Sequence, residues 1–175
     1  MTPEYLIEQT QIALGNQEIL GIVFNKCFQY DNLIKEEFNG NYDVLPETIY
    51  PYQISEQQMV SIVKVKVTRD SREKLYSLLF IFSSEGLSIN LTHPGHSNVD
   101  PVLFQDVYPL ARASVAAKLG TEEFTLKDTA VVGAMLSTGW DEKWVWISSS
   151  GQIAETEITF NAIENNGIVF NLKAA

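Results

Sequence analysis

Met59-Val60-Ser61-Ile62-Val63-Lys64-Val65-Lys66-Val67-Thr68 is the stretch whose reading decides the fold. Val63, Val65 and Val67 alternate with Lys64, Lys66 and Thr68. A period of two sends the valines to one side of an extended chain and the polar side chains to the other, which is the pattern of a half-buried strand. The residues that follow continue it. Residues 69–73 make a turn, and residues 75–83 form a second strand, apolar on both faces and so expected to be central. Ser84-Glu85-Gly86 leads into a third strand at 87–91. Turns this tight join antiparallel neighbours.

Upstream the period is helical. Thr2-Pro3-Glu4 combines a capping hydroxyl, a proline with φ preset for the first turn and an acid at the positive helix end. That helix runs to about Gly15. A second starts near Gln17, with Leu20, Val23, Phe24, Cys27, Tyr30, Ile34 and Phe38 at steps of three and four, and is expected to stop at Asn39-Gly40. Residues 40–54, with Pro46, Pro51 and three tyrosines, read as an irregular connector. Downstream, Asp100-Pro101 opens a helix interrupted at Pro109, with an Ala-rich part over 109–119 and a stop at Gly120. Strands are expected at 130–137, 143–148, 153–161 and 167–172, separated by Gly- and Asn-rich turns. The expectation is an α+β class, as a single domain over residues 1–175. One antiparallel sheet of about seven strands, in the order αα-βββ-α-ββββ, would carry the helices. The two halves share a rhythm of helix then meander, without a sequence repeat behind it.

The 175 residues are 45% apolar, too much for a disordered chain, and enough to bury a core. The N-terminus lacks the basic and apolar regions of a signal peptide, and no apolar run is long enough to span a bilayer, so a cytoplasmic protein without a membrane role is expected. Cys27 is the one cysteine, which excludes an internal disulfide, and its place in the helical stripe suits a small core residue. Twelve Lys and Arg against 22 Asp and Glu leave a net charge of −10. Direct nucleic-acid binding rests on basic side chains meeting phosphates, so the balance argues for a basic partner instead, or merely serves solubility. The acid is uneven: residues 1–58 carry −7, residues 59–118 carry +2 and residues 119–175 carry −5.

Catalytic motifs are sparse. Gly-x-Ser-x-Gly, a phosphate loop, His-Glu-x-x-His and a zinc-type cysteine pair are all missing from the sequence. Ser71-Arg72-Glu73-Lys74 matches Ser-x-x-Lys but sits in a charged turn without the companion motifs. His93-Pro94-Gly95-His96, with Asp100 nearby, is the one place where imidazoles could share a metal or do acid–base work; the plainer reading is a Pro-Gly turn. No cofactor is expected, nor an enzyme. Trp140, Trp144 and Trp146 are either core aromatics or an exposed anchor. Asp141 and Glu142 precede that strand in a turn. Glu155 and Glu157 alternate with Thr156 and Ile158, and so share a face. Asp31, Glu36 and Glu37 lie near the end of the second helix, where carboxylates oppose the helix dipole.

Leading helices, a meander over 59–91, an Ala-rich helix at 109–119 and a second meander over 140–172 together resemble a bacterial immunity protein of a contact-dependent growth-inhibition system. The most distinctive local segment is Ser137-Thr138-Gly139-Trp140-Asp141-Glu142-Lys143-Trp144. The resemblance implies a stoichiometric inhibitor that binds and neutralises a cognate toxin C-terminal domain, a basic nuclease. Trp140, Asp141, Glu142, Trp144, Glu155, Glu157, Asp31, Glu36 and Glu37 are the expected contacts, with a strand edge or a pocket taking a toxin segment. Two alternatives stand beside it: a secretion chaperone or adaptor for a cargo protein, and a metal-dependent enzyme using His93 and His96. An acidic mimic of DNA would carry denser carboxylate rows.

Overall fold

A computed structural model describes residues 2–36 and 42–173. The class is α+β, and the described residues form three helices and two antiparallel sheets of four strands each. The single sheet of about seven strands is therefore corrected to two sheets and eight strands. The chain divides into two compact units, Met1–His93 and Pro94–Ala175, each with its own sheet and core. Seven basic against twelve acidic residues give the first unit −5, and five against ten give the second −5 as well.

The first unit opens with α1 (Pro3–Leu14) and α2 (Gln17–Leu33), followed by β1 (Tyr42–Ile54), β2 (Gln58–Arg69), β3 (Arg72–Ser83) and β4 (Gly86–Pro94), paired in that order. Thr2 caps α1, its hydroxyl accepting from the Tyr5 N–H at 3.2 Å, and Asn16 caps α2 through the Glu18 N–H at 2.8 Å. The valine row behaves as its period dictates. Val63, Val65 and Val67 are fully buried and lie across from Leu78, Tyr76 and Lys74, under Leu14, Val23 and Cys27 of the helices. Each buried valine is worth roughly 1.5–3 kcal/mol, against a strand-propensity range of about 1 kcal/mol, so the row outweighs the poor propensity of the lysines beside it. One polar contact pins α1 to the sheet: the Thr10 hydroxyl bonds the Leu6 carbonyl at 2.8 Å and shares a hydrogen with Ser61 at 2.8 Å.

Three expectations change here. Residues 42–54 are not a connector but β1, the edge strand of this sheet. Its pairing with β2 shifts register between Pro46 and Thr48 and again between Pro51 and Gln53, so the two prolines sit at irregularities where a missing N–H is tolerated. The second helix ends at Leu33, not at Phe38; Phe38 and the Asn39-Gly40 stop lie outside the described residues. The third helix, α3 (Pro101–Leu119), runs straight through Pro109. Pro109 is exposed, as is Gln105 one turn earlier, so the carbonyl that loses its helical donor can meet water.

The second unit consists of α3, β5 (Phe124–Leu136), β6 (Gly139–Ser148), β7 (Ile153–Ala162), a short 3-10 turn at Glu164–Asn166 and β8 (Ile168–Leu172), again in sequential order. The Asp100 carboxylate caps α3 at the Leu103 N–H, 2.8 Å away, and Gly120 ends it in the left-handed conformation. Val107, Ala111 and Val115, at steps of four, lay one stripe of α3 on Trp144, Trp146, Ile158 and Phe160. Arg112 lies 4.4 Å over the Phe124 ring and donates to the carbonyls of Phe124 and Glu122, closing the helix-to-strand turn.

Candidate functional site

Among the described residues two carboxylates are buried, one per unit, and each is surrounded by donors. Asp31 is 0% exposed. It lies one helical turn beyond Cys27 on the buried side of α2, with both residues inside the first unit. The Tyr42 hydroxyl donates to its Oδ2 at 2.9 Å, the Tyr76 hydroxyl donates to Oδ1, and Arg69 Nη1 approaches Oδ2 at 3.2 Å. Arg69 also reaches Glu36 at 3.8 Å. Burial pushes the Cys27 thiol up to about 12, and the Asp31 charge adds to it. Burial first, then the Asp31 charge and its hydrogen bonds, hold both tyrosine hydroxyls well above their ordinary value. The cluster keeps its thiol and phenols protonated while one guanidinium balances the carboxylate. Its geometry ties α2 to β1, β2 and β3.

Glu142, 1% exposed, is the counterpart in the second unit. It lies within β6 rather than in a turn before it, because the strand begins at Gly139. Trp140, Glu142, Trp144 and Trp146 consequently alternate onto one face, toward α3. The carboxylate accepts from the indole N–H of Trp140 at 2.9 Å, the indole of Trp144 at 2.8 Å, the Ser97 hydroxyl at 2.8 Å and the Asn98 backbone N–H at 2.8 Å. The partners in this set are uncharged. Asp31 and Glu142 are therefore interior groups that join elements, as is Trp144 at 0% exposure, and none of the three offers a surface to a partner. A period-two reading extended back to Trp140 would have put Glu142 among the tryptophans. For Asp31 the signal was the step of four from Cys27.

Asp141, Glu155 and Glu157 are on the opposite face of the second sheet, turned away from α3. The register sets Asp141 beside Thr159, Lys143 beside Glu157 and Val145 beside Glu155, so all of these share the face that Trp144 and Trp146 do not occupy. Glu155 and Glu157 are exposed; Lys143 bridges Glu155 at 3.4 Å and Lys173 bridges Glu157 at 3.4 Å. Asp141 accepts from the Thr159 hydroxyl at 2.7 Å. Exposed Val132, opposite Asp141, and exposed Ile153, opposite Ile147, give this face apolar ground at both ends. Trp140 is half-buried and stacks on Phe160 with ring centres 4.7 Å apart, on the α3 side. Glu36 is half-buried beside Arg69, and Glu37 lies outside the described residues.

His93 is buried at the end of β4, and His96 is exposed. Among the described residues, no three His, Cys, Asp or Glu side chains gather closely enough to hold a metal ion. Gly95, at φ +86°, brings the backbone against β5: the His96 N–H donates to the Thr129 carbonyl at 2.8 Å, and the Thr129 hydroxyl donates to the Pro94 carbonyl at 2.6 Å. The Pro-Gly turn thus has a packing role. Ser71 sits with Asp70 in the exposed two-residue turn between β2 and β3, both at positive φ, which suits a hairpin of this length. An open depression of about 310 Å³ in the first unit is lined by Lys26, Gln29, Tyr30, Leu33, Asn90 and Leu91. No described helix is long and apolar enough to cross a membrane. Comparison with family models, with curated proteins and with solved structures returned no match to this chain.

Proposed function

We propose that this chain is a stoichiometric protein inhibitor, an immunity protein that neutralises a basic nuclease toxin domain through the α3-distal face of its second sheet. The observation that carries the reading is the grouping of Asp141, Glu155 and Glu157 on that face, with exposed Val132 and Ile153 at its two ends. Carboxylates around apolar contacts match a partner that presents Lys and Arg around an apolar patch. The net charge of −10 speeds capture of such a partner at long range, an effect that weakens as salt rises. Of the acid-rich ends of the sequence, the last meander is the better docking ground. In the N-terminal helices Asp31 is buried in an internal ion pair and Glu36 leans half-buried on the same arginine, whereas Glu155 and Glu157, though bridged by Lys143 and Lys173, are exposed.

The test is co-expression with the toxin domain encoded beside this reading frame. The chain should restore growth and co-purify with that domain at one to one. The double reversal Glu155→Lys and Glu157→Lys should slow association at least tenfold at low salt while leaving the fold intact. Failure to restore growth would sink the inhibitor reading. Unchanged association of the double variant would remove this face from it.

A further inference from the structure

We infer that β8 is a self-pairing edge, through which two copies of this chain join their second sheets into one eight-stranded sheet about a two-fold axis at Phe170. The inference is independent of the toxin reading.

Two ladder bonds fix which way the edge strand faces. The Lys173 N–H donates to the Glu157 carbonyl at 2.9 Å, and the Ile163 N–H donates to the Gly167 carbonyl at 2.9 Å. The β7–β8 register pairs Thr159 with Asn171 and Asn161 with Val169 between those two bonds. In an antiparallel ladder, hydrogen-bonded pairs alternate with non-bonded ones, so the odd-numbered pairs take the bonds to β7. Ile168, Phe170 and Leu172 then aim their N–H and C=O groups outward, away from β7. Among the described residues β7 is the one strand that pairs with β8.

The edges at β1 and β5 differ in kind, and β4, the remaining edge, is uncharged but ends on Pro94. β1 carries two prolines and two breaks of register. β5 has the His96 N–H on its Thr129 carbonyl and a register break between Val132 and Leu136, around Gly133 at φ +76°. Prolines, bulges and covering loops are the devices that blunt an edge. β8 reads Ile168-Val169-Phe170-Asn171-Leu172, with no proline, no charge and no break of register, and Val169 is 44% exposed.

Three features make a second copy the fitting occupant. First, the outward groups are in phase with themselves. Pairing centred on Phe170 sets Phe170 against Phe170 and Ile168 against Leu172 as bonded pairs, and every outward group in the strand finds a partner. Second, a cross-strand aromatic row runs Trp140, Phe160, Phe170, with Trp140 and Phe160 stacked at 4.7 Å and Phe160 and Phe170 at 6.3 Å. It stops at the edge, and the two-fold axis continues it into its own copy. Third, the same register brings Lys173 of each copy opposite Gly167 of the other, beside the turn that holds Glu164. Lys173, which bridges Glu157 in its own copy at 3.4 Å, is thereby brought toward Glu164 of the other copy as well. A strand of five residues makes a small interface, so a dissociation constant on the order of 10–100 μM is expected. Because each copy carries −10, the dimer should strengthen as salt screens the repulsion.

Sedimentation equilibrium of the full chain tests this, over concentrations that bracket the expected constant. The mass should rise from 19.7 kDa toward twice that value. Val169 and Asn171 face each other across the axis and point away from the core, so substitutions there leave the bonds to β7 alone. The double variant Val169→Lys and Asn171→Lys places lysine against lysine twice and should weaken the dimer at least tenfold. So should the all-acidic double variant, Val169→Glu and Asn171→Glu. An equimolar mixture of the two should dimerise again, and circular dichroism of each alone checks that it is folded. If either variant does not fold, the other compared with the native chain still decides the matter. A native chain that stays at 19.7 kDa throughout overturns the proposal, as does a dimer that neither double variant weakens. A monomer that loses a different bound partner on the lysine substitutions would assign the edge to that partner and overturn it equally.

Discussion

The indole N–H of Trp144 donates to the carboxylate of Glu142, two residues earlier on the same strand, at 2.8 Å. The other oxygen of that carboxylate takes the indole of Trp140 at 2.9 Å. Residues two apart on a strand share a face, so one buried acid is straddled by two tryptophans of its own strand. Ser97 and Asn98 complete the set from the segment leading into α3. The buried charge is stabilised by dipoles alone, and it fixes both the indole orientations and the approach of α3.

Glu142→Gln keeps the shape but turns an NH2 toward groups that are themselves donors. A single amide oxygen can satisfy about half of the four incoming hydrogens. The expected loss is about 2–4 kcal/mol, from the donors left unpaired in the interior. Guanidinium unfolding followed by tryptophan emission measures it directly, since both reporting indoles touch the site. A loss below about 0.5 kcal/mol would show that these contacts matter little.

Arg69→Met removes the cation beside Asp31 and leaves a 0% exposed carboxylate with two tyrosine hydroxyls. Breaking a buried pair from one side costs about 3–5 kcal/mol. Replacing both partners, Asp31→Leu with Arg69→Met, should cost less than the single change, because no bare charge remains. Urea titrations of the two variants at neutral pH make the comparison, and equal losses would count against a buried ion pair.

Alkali should unfold the first unit early. Cys27 is raised from 9.0 to about 12, and Tyr42 and Tyr76 are raised above their usual 10.0. A group with a raised folded pKa stabilises fully below its unfolded pKa and loses that contribution as pH climbs toward the folded one. Stability should hold to about pH 9 and then fall steadily, through Cys27 first and the tyrosines next. Melting temperatures from pH 7 to 11 check the sign. Cys27→Ala should remove the earliest part of the decline. At pH 8 the native thiol should resist an aromatic disulfide reagent that labels the unfolded chain at once.

Gly95→Ala should destabilise the second unit. A Cβ at this position would stand 2.2 Å from the Thr129 carbonyl oxygen and 2.5 Å from its nitrogen, both backbone atoms, at a φ of +86°. Strain and clash together are expected to cost about 2–4 kcal/mol. His96→Ala keeps the backbone bond to Thr129 and should cost under about 0.5 kcal/mol. Similar losses from the two changes would mean that the imidazole, not the backbone, holds the loop.

Much of this architecture is legible in the sequence. The valine alternation places β2 and its antiparallel neighbours, Asp100 and Gly120 bracket α3, and the Gly- and Asn-rich turns locate the last three strands to within a few residues. Three readings go astray for physical reasons. Pro46 and Pro51 argue against a strand, yet an edge with register breaks accommodates both. Pro109 argues for an interruption, yet a solvent-facing carbonyl makes its cost tolerable. One sheet or two is a matter of long-range pairing, which no local period encodes. The site is less legible still. Charge in a sequence reads as surface, but Asp31 and Glu142 are interior, and only their three-dimensional donors explain how they stay there.

The Asp31 cluster takes hydrogens from Tyr42 on β1 and Tyr76 on β3 and faces the Arg69 guanidinium on β2 in an ion pair. Those groups reach one point only when all three strands are in native register. A slip of one residue in β3 would swing Tyr76 to the other side of the sheet and strand the carboxylate with a missing partner. Sliding the valine row by two positions would keep apolar against apolar, an error that hydrophobicity alone tolerates. The buried acid does not tolerate it, so the cluster acts as a key for alignment: it rejects near-native pairings that the core would accept.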